Sequence, residues 1–334
     1  MSSVGIGTYL GEADEVTDQA YSAAVVRALE LGSNVIDTAI NYRIQRSERS
    51  IGAALESLNA RGRVLRQEAV ICTKAGFLTP DGTIPANARR YFEETFFKPG
   101  IIGPEDIAAG IHCMAPRYLA DQMERSLRNM GLESIDVFYL HNPETQLSAV
   151  SRAEFLRRMR LAFEWLETTV AAKTIQWYGT ATWSGYRQSS GSRDYLSLNE
   201  LAGLAREVAG PDHHFRFLQL PFNLAMPEAM TAQNQPVAGR ALNLLEAAGE
   251  LGMTVVASAS LMQAALCSGL PEIIAETFAG LQTDAQRALQ FSRSAPGIGV
   301  ALVGMKNPRH VEENLGLAAV PPAPESQFLK LFHT

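Results

Sequence analysis

The sequence predicts a single (β/α)8 TIM barrel with one long loop insertion after its third strand. Three observations predict it. Short runs rich in β-branched residues recur eight times, and each is followed by a stretch with helical apolar spacing. The strand ends fall near positions 37, 74, 141, 182, 219, 258 and 304, so most units span about 40 residues, enough for a strand, its helix and two turns. Those ends carry polar and ionisable residues, Asp37, Lys74, His141 and Gln219 among them, as in barrels that build their sites at the C-terminal ends of the strands. Eight βα units in 334 residues mean one barrel, not two linked domains. The barrel is expected over residues 1–320, with a loop at 77–117 over its mouth and a C-terminal tail at 321–334.

Taken in order, Val4 to Tyr9 reads as the first strand, and Asp18 to Leu31 as an amphipathic helix stopped by Gly32. Val35 and Ile36 form a short buried strand that ends in Asp37, with the phenol of Tyr42 five residues on. A helix follows from Ser47, its expected N-cap, with Ile51, Ala54, Leu55 and Leu58 on one face. Ala69 to Thr73 is the third strand and delivers Lys74. The next stretch holds Pro80, Pro85, Pro99, Pro104 and Pro116 with several glycines, and reads as a long loop with short helical pieces. Its aromatic group, Tyr91, Phe92, Phe96 and Phe97, fits either a lid or a small satellite core. Tyr118 to Leu132 is a helix, Ser134 to Leu140 a strand delivering His141, Arg152 to Lys173 a helix and Thr174 to Thr180 the fifth strand. The rhythm continues with a helix at Leu198 to Val208, a strand at Phe215 to Phe222 and a helix at Arg240 to Leu251. Met253 to Ser258 is a strand, Leu270 to Ser292 a helix interrupted at Gly280, Gly299 to Gly304 the last strand and Pro308 to Leu315 a short helix.

Composition narrows the function classes. Hydrophobic residues make up 46% and charged residues 19%, so a large core is expected and disorder is not. The net charge of -6 and the lack of any basic cluster argue against nucleic acid or an anionic membrane as partner. No basic-then-apolar start reads as a signal peptide, and no apolar run reaches the length of a membrane span. The three cysteines, Cys72, Cys113 and Cys267, are widely spaced, as in a reducing cytoplasm. His112-Cys113 and His213-His214 lack partners at zinc spacing and read as loop residues, so no metal is expected. Cys72, Phe163 and Trp165 read as core. Nothing in the sequence fixes an oligomeric state.

The barrel gathers Asp37, Tyr42, Lys74 and His141 on one face. A phenol, with an ordinary pKa of about 10, is a weak donor at neutral pH. A nearby ammonium stabilises the phenolate and so lowers that pKa, and a carboxylate keeps that ammonium charged while it is partly buried. An imidazole can orient a polarised carbonyl or relay the proton. The set suits protonation of a carbonyl oxygen while a nucleophile such as hydride reaches the carbon.

These residues carry a resemblance. Asp37-Thr-Ala-x-x-Tyr42 with Ser47-Glu48-x-x-Ile51-Gly52, Thr73-Lys74, Asp136-x-x-x-Leu140-His141-x-Pro143, and Gly304 with Glu313-Asn314 resemble the aldo-keto reductases, in order, from Gly5 to Asn314. The resemblance implies a nicotinamide cofactor bound extended without a Rossmann fingerprint, and hydride transfer between it and an aldehyde or ketone, or the alcohol in reverse. Gly5-x-Gly7-x-x-x-Gly11 is one place off the dinucleotide pattern, which agrees. It also implies Tyr42 as general acid, Lys74 and Asp37 as the groups that tune it, and His141 as the group orienting the carbonyl.

Thr8 and Tyr9 would lie beside the cofactor, as would Asp37, Ala181, Thr182, Gln219, Ser258 and Leu261. Gly304, Lys306, His310, Glu313 and Asn314 would hold its adenosine end. Two positions depart from the family pattern. Ala181-Thr182 stands where Ser-Asn is common, and Gly179 to Ser184 is closer to the branch that includes potassium-channel β-subunits. Ser258 stands where an aromatic often stacks on the nicotinamide, so that packing is expected from Tyr9 or Phe222. An Arg that often pairs with the 2′-phosphate of NADP is His310 here, which favours NAD. Lys306 and Arg309 place two cations in the same turn at a helix start, which favours NADP, and a modest preference for NADP with NAD possible is expected. Two other functions remain compatible with the residues: a cofactor-binding redox sensor of slow turnover, and a (β/α)8 aldolase using Lys74 as a Schiff base. A sensor needs no proton relay, and an aldolase needs a neutral lysine, which Asp37 would oppose.

Overall fold

The computed structural model describes residues 1–332; His333 and Thr334, the end of the expected 321–334 tail, lie outside the described residues. Eight parallel strands close a barrel: β1 (Val4–Gly7), β2 (Val35–Asp37), β3 (Val70–Ala75), β4 (Ile135–His141), β5 (Ile175–Ala181), β6 (Phe215–Pro221), β7 (Thr254–Ser258) and β8 (Ile298–Gly304). They stand in chain order around the barrel, and β1 completes the ring by pairing with β8.

Strand side chains alternate between the two sides of a sheet. One set, including Val35, Cys72, Tyr139, Phe217, Val256 and Leu302, packs into its own cluster inside the ring. Gly5 leaves the room that Leu302 fills; a Cβ there would come within 2.8 Å of Leu302. The other set, with Ile36, Ile71, Phe138, Leu218 and Val303, packs outward in the larger core under the helices. Two residues beyond the interior cluster, with the same parity, stand Asp37, Lys74, His141, Gln219, Ser258 and Gly304. The period of two therefore makes the polar strand ends the top layer of the barrel interior. Register puts Asp37 level with Gly7 and Cys72, and His141 level with Ala181 and Gln219.

The barrel helices are α1 (Glu15–Glu30), α2 (Arg46–Ala60), α3 (Pro116–Met130), α4 (Arg152–Ala171), α5 (Leu198–Ala209), α6 (Leu244–Glu250), α7 (Asp284–Ser294) and α8 (Pro308–Leu315). Helix α1 starts earlier than expected because Asp14 caps it, accepting from the Thr17 N–H. Ser47 does not cap α2. Arg43, Ile44 and Gln45 all adopt left-handed backbone before it (φ 50°, 52° and 73°), and the Ser47 hydroxyl instead donates to Thr8 O at 2.7 Å. The helix expected from Arg240 begins only after Asn243, whose side chain forms a capping box with Glu246. Arg240–Leu242 pairs with Gln235–Val237 in a hairpin turned at Ala238-Gly239. The 270–292 helix is two, Glu272–Thr277 and α7, the second capped by Thr283.

The stretch 77–117 is more ordered than a loop. Ala88–Phe92 runs into a wider π turn at Glu93–Phe97, and Ile107–Ala108 pairs antiparallel with His112–Cys113. Phe96, Ile102, Cys113 and Tyr118 are buried together, with Tyr91, Phe92 and Phe97 packed on them. The aromatic group is therefore a satellite core. In the expected tail, Glu325–Phe328 is a helical turn whose Phe328 is buried against Phe291, 5.1 Å between centroids.

Truncating Phe96 to Ala is expected to lower the unfolding free energy by about 3–5 kcal/mol, the usual cost of emptying a buried aromatic site. Phe97→Ala, at a half-buried position, should cost much less. Denaturant melts of the two variants check this; equal losses, or none at Phe96, would refute a satellite core.

Candidate active site

The top layer is assembled by main-chain bonds between strand ends. Thr8 N–H donates to Asp37 O, Thr38 N–H to Cys72 O and Ile40 N–H to Lys74 O, so the chain after β2 stays laced to both neighbours. The left-handed turn that follows is held by Arg43, whose buried guanidinium donates to Glu12 O and pairs with Asp18 of α1 at 2.5 Å. That anchored turn presents Tyr42 inward. Glu48, buried in the first turn of α2, accepts from Thr73 Oγ1 at 2.7 Å and Asn129 Nδ2 at 2.9 Å, which ties α2 and α3 to the residue before Lys74.

All four residues expected to form the site come together. Lys74 is fully buried, and its ammonium donates to Asp37 Oδ2 at 2.5 Å, Thr38 O at 2.7 Å and the Tyr42 hydroxyl at 3.3 Å. An ammonium has three donors, and all three are used. Asp37 Oδ1 accepts from Gln219 Nε2 at 2.7 Å. His141 Nδ1 donates to Asn41 Oδ1 at 3.1 Å, leaving Nε2 as the free ring nitrogen. Its ring stands edge-on to Tyr42, 5.7 Å between centroids, and to Phe77 at 5.2 Å. Tyr9 meets the other side of Tyr42 at 4.9 Å and is 56% exposed.

Burial raises the Asp37 carboxyl, with Lys74 opposing it. Burial also pulls Lys74 down, but Asp37 and Tyr42 outweigh that and hold it above the ordinary lysine value, so it stays charged. Burial raises the Tyr42 phenol too, and Lys74 offsets only part of the rise. This corrects the expectation of a net-lowered phenol: the ammonium is held closer to Asp37 than to Tyr42, and the carboxylate itself raises the phenol. Tyr42 is therefore protonated at neutral pH. Burial, then Lys74 and His112, hold His141 well below its ordinary value, so it is neutral.

The other expected contacts are spread around the same face. Thr8 is buried with its hydroxyl on Thr38 Oγ1 at 2.9 Å, so it braces the β1–β2 ends. Thr182 sits after β5 with a buried hydroxyl that meets no partner, and Glu144 fixes its turn by accepting from the Trp183 and Ser184 N–H groups. Ala181 is buried; Ser258 and Leu261 are half-buried at the end of β7. Ser260, beside them, has an unpartnered buried hydroxyl, and the amide oxygen of buried Asn314 in α8 likewise meets no donor. Gly304, Lys306, Arg309, His310 and Glu313 are exposed around the start of α8, which Asn307 caps through the Arg309 N–H. The Lys306 ammonium reaches toward the β1–α1 turn, 3.7 Å from where a Cβ on Gly11 would stand. Phe222 is fully buried and stacked on Phe291 at 5.4 Å, so it has no free face, and Tyr9 alone of the expected pair keeps one.

Sequence reasoning missed Asn41, hidden in the variable part of Asp37-Thr-Ala-x-x-Tyr42, and misread His112. His112 is no loop residue: it is fully buried on a short strand, its Nε2 donating to His141 O at 2.7 Å. The one local signal was the turn at Ala109-Gly110 before it, both left-handed. His213 is buried, and His214 pairs with Glu167. Among the described residues, no group of three or more His, Cys, Asp or Glu side chains is placed to hold a metal ion, and no helix is long and apolar enough to cross a membrane.

The model of the aldo/keto reductase family matches residues 3–184. No curated protein matches the chain. Solved structures match over its whole length. An aldo/keto reductase from Klebsiella pneumoniae in complex with NADP and acetate is 20% identical, with a TM-score of 0.66 over 99% of this chain and 92% of that one. A Klebsiella pneumoniae aldo-keto reductase in complex with NADPH is 19% identical, with a TM-score of 0.65 over 99% and 91%. The holo form of an aldo-keto reductase from Bacillus halodurans is 16% identical, with a TM-score of 0.65 over 99% and 92%.

Burial lowers His112 from 6.5 to about 4. Between those values the unfolded chain binds a proton that the folded chain does not, so stability falls as pH drops from 6.5 toward 4. The full shift corresponds to about 3 kcal/mol. His112→Gln cannot titrate and is expected to flatten the stability curve in that window, as read by denaturant melts across it. A curve parallel to wild type would overturn the assignment of that slope to His112.

Proposed function

Because the chain belongs to the aldo/keto reductase family, we propose that it reduces an aldehyde or ketone to an alcohol, reversibly, with a nicotinamide cofactor. One observation carries the reading: a protonated phenol, a charged lysine and a neutral imidazole share one buried layer at the strand ends. When bound, the cofactor supplies the hydride to the carbonyl carbon. The chain supplies the rest. Tyr42 donates its hydroxyl proton to the carbonyl oxygen, which forms the alcohol and leaves a phenolate. Lys74, 3.3 Å from that oxygen, stabilises the phenolate, and Asp37 keeps Lys74 charged. His141 is edge-on to the phenol and neutral, so it orients the carbonyl without competing as the acid.

The residues fit the cofactor. Thr182, Ser260 and Asn314, in the segments that follow β5, β7 and β8, each have a buried polar atom without a partner. Buried polar atoms are seldom left unmade without a partner to come. Gln219, Ala181 and Thr182 would hold the carboxamide, and Tyr9 has the free ring face for the nicotinamide. Ser258, Leu261 and Gly304 would line its path, and Lys306, His310, Glu313 and Asn314 its adenosine end. The cation of Lys306 and the positive end of the α8 dipole both favour a 2′-phosphate, as does the NADP in the Klebsiella pneumoniae structure. NADP is thus the preferred cofactor, with NAD accepted.

The run Gly179 to Ser184 supports a place near the branch that includes potassium-channel β-subunits. The body of the barrel is 1–320, with 77–117 at its mouth. Free Cys72, Cys113 and Cys267 fit a reducing cytoplasm. A Schiff-base aldolase is disfavoured, because all three donors of Lys74 are engaged and its charge is stabilised.

Tyr42→Phe is expected to lower kcat for carbonyl reduction by about 10²–10⁴-fold, the usual worth of a positioned acid, while the cofactor Kd stays within a few-fold. Steady-state kinetics with a cofactor titration decide it, and near wild-type turnover would sink the role of the phenol. Lys306→Ala should raise KM for NADPH and leave that for NADH nearly unchanged. Equal weakening of both, or wild-type binding of NADH as tight as NADPH, would refute the phosphate contact.

A further inference from the structure

We propose that His112, from the insertion between β3 and α3, is a positioning residue for His141; the role rests on the reductase reading above. The His112–Cys113 strand lies against the chain that leaves β3: Cys113 N–H donates to Gly76 O and Leu78 N–H to Ile111 O, both at 2.8 Å. This brings His112 across to the end of β4, where its Nε2 meets His141 O at 2.7 Å. The bond passes over Gly76. A Cβ there would come within 2.6 Å of His112 Nε2 and 2.7 Å of His141 O, so the glycine is the cradle that lets the two meet.

The direction of the bond is fixed from outside the site. Arg158 can only donate, and its NH1 lies 2.7 Å from Gln146 Oε1. The other amide atom, Nε2, therefore faces His112 Nδ1, at 2.8 Å. Nδ1 accepts, and the ring proton sits on Nε2, where it is given to His141 O.

The peptide that receives it is held at both ends. Its carbonyl is that of His141, and its N–H, on Asn142, donates to Ala181 O at 2.6 Å. The chain then turns sharply, with Asn142 in left-handed backbone (φ 47°), a conformation that persists only when its surroundings impose it. Fixing this peptide fixes the direction in which the His141 side chain leaves β4. Phe77 adds a second hold, since its ring packs edge-on against both His112 (5.0 Å) and His141 (5.2 Å). The imidazole is thereby kept against Asn41 and the edge of Tyr42. Without His112, the carbonyl loses its donor, Phe77 loses one wall and the imidazole is free to swing from the phenol.

The test compares wild type with His112→Leu, which fills the space without a donor, and His112→Gln, whose amide places an N–H near the position of Nε2. An unhindered aromatic aldehyde with NADPH is the activity probe, and NADPH binding is read separately by fluorescence titration. His112→Leu is expected to lose about 10-fold or more in kcat, since displacements of an ångström at a reacting centre cost up to about 10²-fold, with the NADPH Kd nearly unchanged. His112→Gln should recover most of the loss. An unchanged kcat in His112→Leu, or equal losses in both variants, overturns the proposal. If His112→Leu does not fold, Gln146→Leu replaces it, because removing the amide releases the tautomer that makes Nε2 a donor; the same kcat loss is expected, and its absence overturns the proposal. Failure of the reductase reading looks different, because wild type would not reduce the probe. Long-range ¹⁵N–¹H spectra of the histidine rings then decide: a single Nδ1-protonated His141 in wild type and His112→Gln, and mixed tautomers in His112→Leu, support the role. A His141 signal indifferent to both substitutions overturns it.

Discussion

The buried pair of Lys74 and Asp37 is the constraint to which the rest of the site answers. Moving either charge out of water costs several kcal/mol, and only close pairing with further hydrogen bonds offsets that. Lys74 meets this by giving its three donors to Asp37, Thr38 O and Tyr42, and Asp37 by taking a fourth bond from Gln219. The ends of β2, β3 and β6 are thereby tied together across the barrel. Deleting one partner of such a pair leaves an uncompensated charge, at a cost of about 3–5 kcal/mol. The phenol enters as the third contact of an ammonium that would otherwise be short of one. The same nitrogen thus holds the buried carboxylate and the phenol together.

Some of the protein's less regular backbone lies next to this pair. Arg43, Ile44, Gln45 and Asn142 are all left-handed, and all lie beside Tyr42 or His141. Each such non-glycine residue costs about 1–2 kcal/mol, so the turns exist because other bonds insist on them. Arg43 on Asp18 holds the first, and the double anchorage of the His141–Asn142 peptide holds the second. The regular wall of the barrel beneath needs no such devices, because alternation alone fills it.

Most of the fold was legible in the sequence, because β-branched runs at even spacing report a buried parallel sheet directly. Three of the four central residues, Asp37, Lys74 and His141, were legible for the same reason, since parity along a strand decides which residues cap the interior. Tyr42, on the turn after β2, was legible only through its motif. What could not be read depended on partners far along the chain. Ser47 looks like a helix cap, but its hydroxyl serves Thr8. Arg240 looks like the start of a helix, but Ala238-Gly239 folds it back into a hairpin. Phe222 looks free to stack on a ligand, but Phe291 covers it. His112 looked like an isolated loop residue, because its partners, His141 and Gln146, are 29 and 34 positions away. The direction of the Tyr42 shift failed on a balance of burial against charge that no motif encodes.

The seam between β1 and β8 has a consequence for how the molecule comes into being. Gly7 pairs with Gly304, so the ring is sealed by residues almost 300 positions apart, a contact that is slow to find. The acid, phenol, lysine and imidazole all lie in the first four βα units, whereas Ser260, Lys306 and Asn314 belong to the last two. A chain emerging from synthesis therefore holds these four residues long before the last two units exist. Until the final strand docks, Gly5 and Leu302 have not met, and the interior beneath the site is open to water.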